Sequence, residues 1–256
     1  MKLGVNIDHI ATLREARKIN EPNPLEAIFL LKNAGASQVT LHLREDRRHI
    51  HDEDFKAIIS QSLLPINLEC ASSMVEQVIS HSPHRITLVP EKREEVTTEG
   101  GLNLAQEQVK NAIKLLFEHS IPTSLFIDPK PENIHTCKEL GVQSIELHTG
   151  EWVNLNLMAY TNLRHTHNTI PSLDLPLEEL EERMRITLKE IQECSKLAKE
   201  LGLEVFAGHG LNYQNVSPIA SIAEISELNI GHSIIARAVF VGLFEAVREM
   251  RELIKR

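Results

Sequence analysis

The segment Thr40-Leu-His-Leu-Arg-Glu-Asp-Arg-Arg-His-Ile-His51 joins a short apolar stretch to a loop that is dense in charge. The apolar stretch, Ser37–Leu43, is typical of a buried strand and carries His42 near its C-terminal end. The next eight residues hold three arginines, two acids and two histidines. Arginine offers forked donors to a phosphate or carboxylate, and histidine is an acid or base near neutral pH. The same composition also fits an exposed charged loop, so the rest of the chain has to decide between the two.

Strands of this kind recur along the whole chain, and a helical pattern follows each of them. Eight strand–helix units in 256 residues predict a TIM (β/α)8 barrel with additional helices, forming one domain over residues 1–256. The main alternative is an open, doubly wound sheet. Its dinucleotide-binding form needs a GxGxxG turn, and the first turn here is Asn6-Ile-Asp-His9. The predicted strands are Leu3–Asp8, Ser37–Leu43, Pro65–Glu69, Arg85–Val89, Thr123–Ile127, Gln143–His148, Leu203–Ala207 and Glu224–Ile230.

The segments between the strands differ in regularity. A charged passage after His9 is predicted to be irregular, and Asn23-Pro24 begins a helix that Gly35 ends. The segment Trp152–Leu175 is the least regular, and we predict an insertion there, across one end of the barrel near its mouth. Further helices are predicted to begin at Asp52 and at Ser73, where a capping-box spacing occurs, and to cover Leu104–His119, Pro176 to Gly202, and Ile234–Arg256.

The composition excludes several classes of protein. A net charge of −9 argues against a nucleic-acid-binding protein, whose footprint is usually a basic face. No stretch approaches 18 consecutive apolar residues and the N-terminus has no apolar signal region, so we expect a cytoplasmic protein without a membrane segment. Three widely spaced cysteines, Cys70, Cys137 and Cys194, predict a reducing compartment without disulfides or structural zinc.

In a barrel the carboxyl ends of the strands meet at one mouth, where active sites lie. Histidine occurs at five of the eight predicted ends, more than a simple passage from core to surface would produce. Glu146 and His148 are also compatible with satisfied core groups, and His49 and His51 with solvated ones, His51 more so. The polar residues at or beyond these ends are Asn6, Asp8, His9, His42, Arg44, Glu69, Lys92, Arg93, Glu146, His148, His209 and His232.

Two kinds of anion site are predicted at this mouth. Gly208-His-Gly210 and Gly231-His-Ser233 follow strands seven and eight, where barrels commonly bind phosphate through backbone N–H groups and a helix N-terminus. The arginine-rich loop after strand two offers a second site built from side chains. Two anion sites around histidines and a carboxylate indicate chemistry on phosphorylated metabolites.

Metal catalysis and a Schiff-base lysine are both poorly supported. Metal-dependent hydrolases on barrels typically carry His-x-His on the first strand, and here that strand offers Asn6-Ile-Asp8. The pair His49 and His51 lies beyond a strand end, where it is held less rigidly. No predicted strand carries a lysine near its carboxyl end, and Lys92 falls in a loop.

Several long motifs, taken together, resemble the pyridoxine 5′-phosphate synthases of the deoxyxylulose-dependent vitamin B6 pathway. The resemblance runs from Leu3 to the C-terminal helix, except for Trp152–Leu175. Two positions depart from the usual family pattern: Lys18 stands where a glycine is common, and Ile235-Ala-Arg237 replaces Ile-Gly-Arg. The motifs are Gly4-Val-Asn-Ile-Asp-His-Ile-Ala-Thr-Leu-Arg14, His42-Leu-Arg-Glu-Asp-Arg-Arg-His-Ile50, Asn67-Leu-Glu69, Leu88-Val-Pro-Glu-Lys-Arg93, Val96-Thr-Thr-Glu-Gly-Gly-Leu102, Glu146-Leu-His-Thr-Gly150, Ala207-Gly-His-Gly-Leu211 and Leu228-Asn-Ile-Gly-His232.

The resemblance implies a TIM barrel that assembles as a homo-octamer, a tetramer of dimers, and works without a metal or organic cofactor. It implies the condensation of 3-amino-2-oxopropyl phosphate with 1-deoxy-D-xylulose 5-phosphate to pyridoxine 5′-phosphate, phosphate and water. His42, Glu69 and His209 match the family's acid/base residues. The positions that match its substrate-contacting residues are Asn6, Asp8, His9, Arg17, Arg44, His49, Thr97, Gly210, Gly231 and His232.

Two other functions share part of this pattern. A phosphosugar aldolase or epimerase would use one phosphate site and one substrate, whereas two anion sites favour a condensation. A non-catalytic phosphometabolite-binding barrel would explain the glycines and arginines but has no use for His42 beside Glu69. The long charged loop Pro90–Gly101 is predicted to be a lid that excludes water.

Overall fold

Eight parallel strands close into one barrel in residues 1–91 and 100–256, the part of the chain that the computed structural model describes. Each strand pairs with its sequence neighbours, and β1 also pairs with β8 to close the ring. The TIM-barrel prediction is therefore confirmed, and the open-sheet alternative is excluded. The strands are β1 Lys2–Asn6, β2 Gln38–His42, β3 Ile66–Cys70, β4 Arg85–Leu88, β5 Thr123–Ile127, β6 Ser144–His148, β7 Glu204–Gly208 and β8 Ile225–Ile230.

The strands alternate between an apolar outer face and a polar inner face. On β2, Val39 and Leu41 are fully buried under the helices. The alternate residue Thr40 donates a hydrogen bond across the barrel to Asn229 Oδ1 at 3.1 Å. Barrel interiors are usually filled by branched apolar side chains. This barrel is instead filled largely by hydrogen-bonded polar groups below its mouth.

The helices surround the barrel and add several elements to the basic pattern. Most predicted helices are present with shifted ends. The segment at Ser73 differs, because it forms a 3₁₀ turn, Ser72–Met74, and a single α-helical turn without a side-chain cap. The helices of the described residues are α1 Asp8–Arg17, α2 Pro24–Ala34, α3 Asp52–Gln61, α4 Val75–Val78, α5 Glu107–Glu118, α6 Pro131–Glu139, α7 Gly150–Tyr160, α8 Leu177–Glu200, α9 Val216–Ala220, α10 His232–Val241 and α11 Leu243–Leu253.

The prediction of an irregular passage after His9 is wrong, because α1 begins directly after β1. Ile10, Ala11 and Arg14 recur at helical spacing and are buried, so one face of this charged segment packs on the barrel. The helix ends at Lys18, whose φ is +52°. Glycine adopts this left-handed conformation without strain, which accounts physically for the glycine that the resembling family favours here.

The prediction that Trp152–Leu175 is irregular is wrong over its first part. Helix α7 continues to Tyr160 and buries Leu155 and Met158 against Leu180 of α8, forming a small apolar cluster beside the main core. The remainder holds two 3₁₀ turns, Leu163–His165 and Pro171–Leu173. The segment therefore extends the α7–α8 pair.

The C-terminal region contains two helices where one was predicted. Gly242 separates α10 from α11 and has a φ of +81°, a conformation that interrupts a right-handed helix. Within the described residues, Cys70, Cys137 and Cys194 are free and buried. Among those same residues, no helix combines the length and the apolar character that crossing a membrane requires.

Candidate active site

Asp8 joins the carboxyl ends of the first two strands. Its Oδ1 accepts a hydrogen bond from the His42 backbone N–H at 2.8 Å, and its Oδ2 accepts one from Asn6 Nδ2 at 2.9 Å. The Asp8 backbone N–H in turn donates to Asn6 Oδ1 at 2.8 Å. Asp8 is buried, so these bonds fix the polar groups of both strand ends at one side of the mouth.

His42 and Arg44 converge on Glu91, a residue that the sequence analysis did not single out. Glu91 Oε2 lies 3.4 Å from His42 Nε2, and Glu91 Oε1 lies 3.6 Å from Arg44 Nε. The Glu45 backbone N–H also donates to Glu91 Oε1 at 2.9 Å. Burial acts against ionisation of this carboxyl, but His42, Arg44 and the backbone donor together hold the pKa of Glu91 below its ordinary value. The Glu91 carboxylate therefore lies between the His42 imidazole and the Arg44 guanidinium.

The loop that carries His49 is held in place by an arginine of α1. Arg14 donates to both carboxylate oxygens of Asp54, at 2.6 and 2.7 Å, and to the His49 carbonyl at 2.9 Å. The His49 ring lies 6.3 Å from that of His42, and burial lowers the pKa of His49. His51 is the more exposed of the pair, in agreement with its reading as a solvated residue.

Glu69 and Glu146 place two carboxyl groups inside the barrel. Burial, reinforced by Glu146 and Asp8, raises the pKa of Glu69 well above its ordinary value. Burial likewise raises the pKa of Glu146 to about 7, although Arg85 and a 2.7 Å hydrogen bond from Asn229 Nδ2 oppose the shift. A carboxyl group with a raised pKa is suited to donate a proton in acid/base catalysis.

His209 has a strained backbone between two glycines. Its φ is +84°, which is rare for a residue with a side chain and typical of functional sites. Thr149 stabilises this turn, because its hydroxyl oxygen lies 2.7 Å from the carbonyl oxygens of both Gly208 and His209. Burial, with a contribution from His148, lowers the pKa of His209 to about 4. The imidazole is therefore a neutral base at physiological pH.

Gly208, the last residue of β7, and Gly231, the residue after β8, allow neighbouring side chains to approach the backbone closely. A Cβ at Gly208 would lie 2.3 Å from Glu146 Oε1, and one at Gly231 would lie 2.9 Å from Asn6 Cβ. Gly231 precedes α10, whose first residue, His232, packs edge-on against His9 with ring centroids 4.8 Å apart. Burial and the neighbouring His232 lower the pKa of His9. The N-terminus of α10 thus opens on the mouth beside two imidazoles.

Comparisons with known proteins agree with this geometry. The sequence model of the family described as "Pyridoxal phosphate biosynthesis protein PdxJ" matches residues 3–256. The chain belongs to this family. It is 57% identical to the pyridoxine 5′-phosphate synthase of Helicobacter hepaticus, over 98% of this chain and 97% of that protein. It is 58% identical to that of Aliarcobacter butzleri, over 100% and 99% of the two chains.

Solved structures with low sequence identity resemble this chain in fold only. A tryptophan synthase α-subunit from Pyrococcus furiosus superposes with a TM-score of 0.58 at 11% identity, over 99% of this chain and 97% of that one. A phosphoribosyl anthranilate isomerase from Thermus thermophilus gives 0.54 at 12%, over 99% and 98%. Both likenesses agree with the barrel topology.

The structure brings most of the predicted residues to one mouth of the PdxJ barrel. Arg17 stands apart, at the exposed C-terminal end of α1. Thr97, Lys92, Arg93 and most of the predicted lid Pro90–Gly101 lie outside the described residues. Within the described residues, no group of three or more histidine, cysteine, aspartate or glutamate side chains is arranged to hold a metal ion.

Sequence reasoning missed three charged residues of this PdxJ barrel. Asp128 follows β5 directly and Glu91 lies three residues beyond β4, so the strand-end rule that selected Glu69 applied to them as well. Arg85 stands at the opposite end of its strand, where no functional rule applies. Arg85 forms an ion pair inside the barrel with Glu227, a residue that is distant in sequence.

Proposed function

We propose that this protein is a pyridoxine 5′-phosphate synthase. It condenses 3-amino-2-oxopropyl phosphate with 1-deoxy-D-xylulose 5-phosphate and yields pyridoxine 5′-phosphate, phosphate and water. The observation that carries this proposal is the convergence of His42, Glu69 and His209 on one mouth, in a chain that matches the PdxJ family over residues 3–256. Relatives of equal length that carry the synthase name support it.

Most of this reaction consists of proton transfers. The amine of one substrate adds to the ketone of the other, and the resulting imine links the two substrates, so no enzyme lysine is needed. Water and phosphate then leave, and the ring closes. Each step needs a group that donates or accepts a proton near neutral pH, and two imidazoles and a carboxyl group suffice. In this proposal, Glu69 and His42 serve imine formation and elimination, and His209 serves ring closure.

The opposite pKa shifts of Glu69 and His209 suit these roles. The pKa of Glu69 is raised well above its ordinary value, so its carboxyl group holds a proton that it donates to a departing hydroxyl and later recovers. The pKa of His209 is lowered to about 4, so it enters the reaction as a neutral base. Both substrates carry anionic phosphate, and neutral acid/base groups bind beside it without adding net charge.

The two phosphates occupy different sites in this proposal. Gly210, Gly231 and His232, with the N-terminus of α10, hold the phosphate that remains in the product. Arg44 and its neighbour His49 bind the phosphate that leaves. Arg17 and Thr97 are further substrate-contacting positions that the resemblance to the family implies. Asn6, Asp8 and His9 contact the carbon skeletons between the two sites. No metal or organic cofactor takes part in these steps.

The proposal extends to the assembly and location of the protein. Residues 1–256 form one barrel domain, with 152–175 an insertion near its mouth, and the protein acts in the cytoplasm without nucleic-acid or membrane partners. It assembles as a homo-octamer, a tetramer of dimers. Exposed apolar side chains on α10 support self-association, because Phe240 is 83% and Val239 69% exposed in the single chain.

A product assay tests the proposed function. Chelator-treated protein is mixed with both phosphorylated substrates, and the absorbance of pyridoxine phosphate is followed together with phosphate release. We expect turnover with both substrates, none with either alone, and none in Glu69→Gln or His209→Asn. Absence of product from folded wild-type protein would contradict the proposal. Turnover of a single phosphosugar would indicate an aldolase or epimerase.

A further inference from the structure

Asp128 and His148 lie beside His209 at the mouth. The His148 and His209 rings have centroids 5.0 Å apart at an interplanar angle of 66°, an edge-to-face contact. Phe126 packs against both rings, at 5.0 Å from His148 and 6.3 Å from His209. On its far side, His148 Nδ1 lies 3.2 Å from Asp128 Oδ1. The strand ends of β5, β6 and β7 therefore carry a row that runs from a carboxylate through one imidazole to the next.

Asp128 is rigidly held and ionised. Its Oδ1 also accepts a 2.9 Å hydrogen bond from the Gly101 backbone N–H, and its carbonyl accepts one from Asn133 Nδ2 at 3.1 Å. Gly101 rests directly on this strand end, because a Cβ there would lie 2.2 Å from the Asp128 backbone nitrogen. The hydrogen bond from His148 lowers the pKa of the Asp128 carboxyl.

An ionised carboxylate in this position fixes the tautomer of His148. A carboxylate only accepts hydrogen bonds, so the Nδ1 atom that faces it carries the hydrogen. In neutral His148, Nε2 is then the unprotonated nitrogen. This atom is buried, and none of the residues that the structure describes hydrogen-bonds to it. It lies against Gly150, where a Cβ would approach it to 2.4 Å.

We propose that Asp128 is a positioning residue that acts through His148: it holds His148 in the Nδ1–H tautomer and one orientation, and the His148 ring fixes the ring of His209. This inference rests on the proposed role of His209. The edge-to-face contact transmits orientation. Rotation of His148 changes which of its edges meets the His209 ring, and tautomer exchange changes which His148 nitrogen carries the hydrogen. Misplacement of a catalytic group by about 1 Å costs on the order of 10²-fold in rate, which sets the size of the expected effect.

Asp128→Ala tests the tautomer, because it removes the oxygen that accepts from both the Gly101 N–H and His148 Nδ1. Without this acceptor, Asp128 no longer holds the hydrogen of His148 on Nδ1, and the Nε2–H tautomer becomes accessible. We expect kcat to fall by on the order of 10²-fold, with each KM unchanged within about twofold. Asp174→Ala is the matched control, because Asp174 forms an exposed ion pair with Arg164 and should leave the kinetics unchanged.

A double-mutant cycle separates positioning through His148 from a structural effect. If Asp128 acts through His148, then adding Asp128→Ala to His148→Gln should lower kcat by less than about twofold further. His148→Phe preserves the ring contact and replaces His148→Gln if that variant does not fold. Solid-state 15N spectra of histidine-labelled protein should show Nδ1–H at His148 in the wild type and a population of Nε2–H in Asp128→Ala.

Each outcome decides the matter. A kcat of Asp128→Ala within about threefold of wild type, or additive losses in the cycle, would overturn the positioning role. The same holds for an Nε2–H tautomer of His148 in the wild type. Absence of turnover in the wild type would instead count against the proposed function, and the tautomer measurement would still test the link between Asp128 and His148.

Discussion

Replacement of Arg85 by methionine should strongly destabilise the barrel. The Arg85 side chain is 14% exposed and pairs with Glu227, which is 3% exposed. Its Nε also donates to Asn67 Oδ1 at 3.1 Å, and its guanidinium lies 4.1 Å over the Phe206 ring. Methionine keeps much of the aliphatic stem but leaves the Glu227 carboxylate buried without its cation.

The expected cost follows from these contacts. Removal of one partner from a buried ion pair costs about 3–5 kcal/mol, chiefly because the remaining charge is uncompensated. The lost cation–π contact with Phe206 adds about 1 kcal/mol. A chain of this length loses roughly 2–4 °C of Tm per kcal/mol, so Arg85→Met should lower Tm by roughly 8–24 °C.

Neutralising the partner should remove most of this cost. When Glu227 is already glutamine, Arg85→Met leaves no buried carboxylate without its cation at this position. The amide oxygen still accepts the 2.7 Å hydrogen bond from Gln38 Nε2. There, Arg85→Met should cost about 1–2 kcal/mol, which gives a coupling energy of at least about 2 kcal/mol. Arg183→Met is the control: Arg183 pairs with Glu179 at the surface and should contribute less than about 1 kcal/mol.

The assay is thermal unfolding at fixed protein concentration, because self-association shifts Tm. Trp152, the single tryptophan, is 2% exposed and reports loss of the core by fluorescence. A Tm for Arg85→Met within about 2 °C of wild type would refute the argument from charge burial. An equal cost of Arg85→Met in the wild-type and Glu227→Gln backgrounds would also refute it, since the loss would then arise from packing.

Three further predictions concern the mouth. Arg14→Met leaves the half-buried Asp54 carboxylate without its bidentate partner, so the free energy of unfolding should fall by about 3 kcal/mol. The same change releases the loop after β2, so the KM of the substrate bound there should rise in steady-state kinetics. The pKa of Glu146 is about 7 in the folded protein against 4.5 when unfolded, so its contribution to stability is complete below pH 4.5 and is lost as the pH rises through 7. Glu146→Gln should therefore gain about 3 kcal/mol on the wild type between pH 4 and pH 8 in urea unfolding, and parallel curves would contradict this. Gly210→Ala places a Cβ 2.7 Å from Val153 Cγ1 at a φ of +79°, so it should cost at least about 1 kcal/mol and weaken phosphate binding, measured by calorimetric titration with inorganic phosphate.

The fold was predictable because its signal is local and repeated. Each strand buries alternate apolar residues under the helices, and β5 lies at the residues predicted, Thr123–Ile127. Helix α1 was missed because its exposed face is dense in charge, and because its buried face includes a charged residue, Arg14, which pairs with Asp54. That pairing is a tertiary contact across 40 residues, which no local pattern reveals.

The position of a candidate site residue was predictable where that residue lies at or beside its own strand end, as His42, Glu69 and His209 do. It was not predictable where function depends on a partner from another strand. Arg85 and Glu227 are 142 residues apart and meet only because the barrel closes. Contacts of this kind set the pKa values of the site, so a sequence can supply the reacting groups without the environment that tunes them.

Burial shifts the acids and the bases of this mouth in opposite directions. It raises the pKa of Glu69 and Glu146 and lowers that of His9 and His209. Both changes favour the uncharged form, because a low-dielectric interior penalises any charge. Glu91 and Asp128 differ, because hydrogen bonds with His42 and His148 lower their pKa values. The shifts caused by burial therefore favour protonated carboxyl groups at Glu69 and Glu146 and unprotonated imidazoles at His9 and His209. Such a set can donate and accept protons in succession while its net charge stays nearly constant, as a condensation with several proton transfers between two anionic substrates requires.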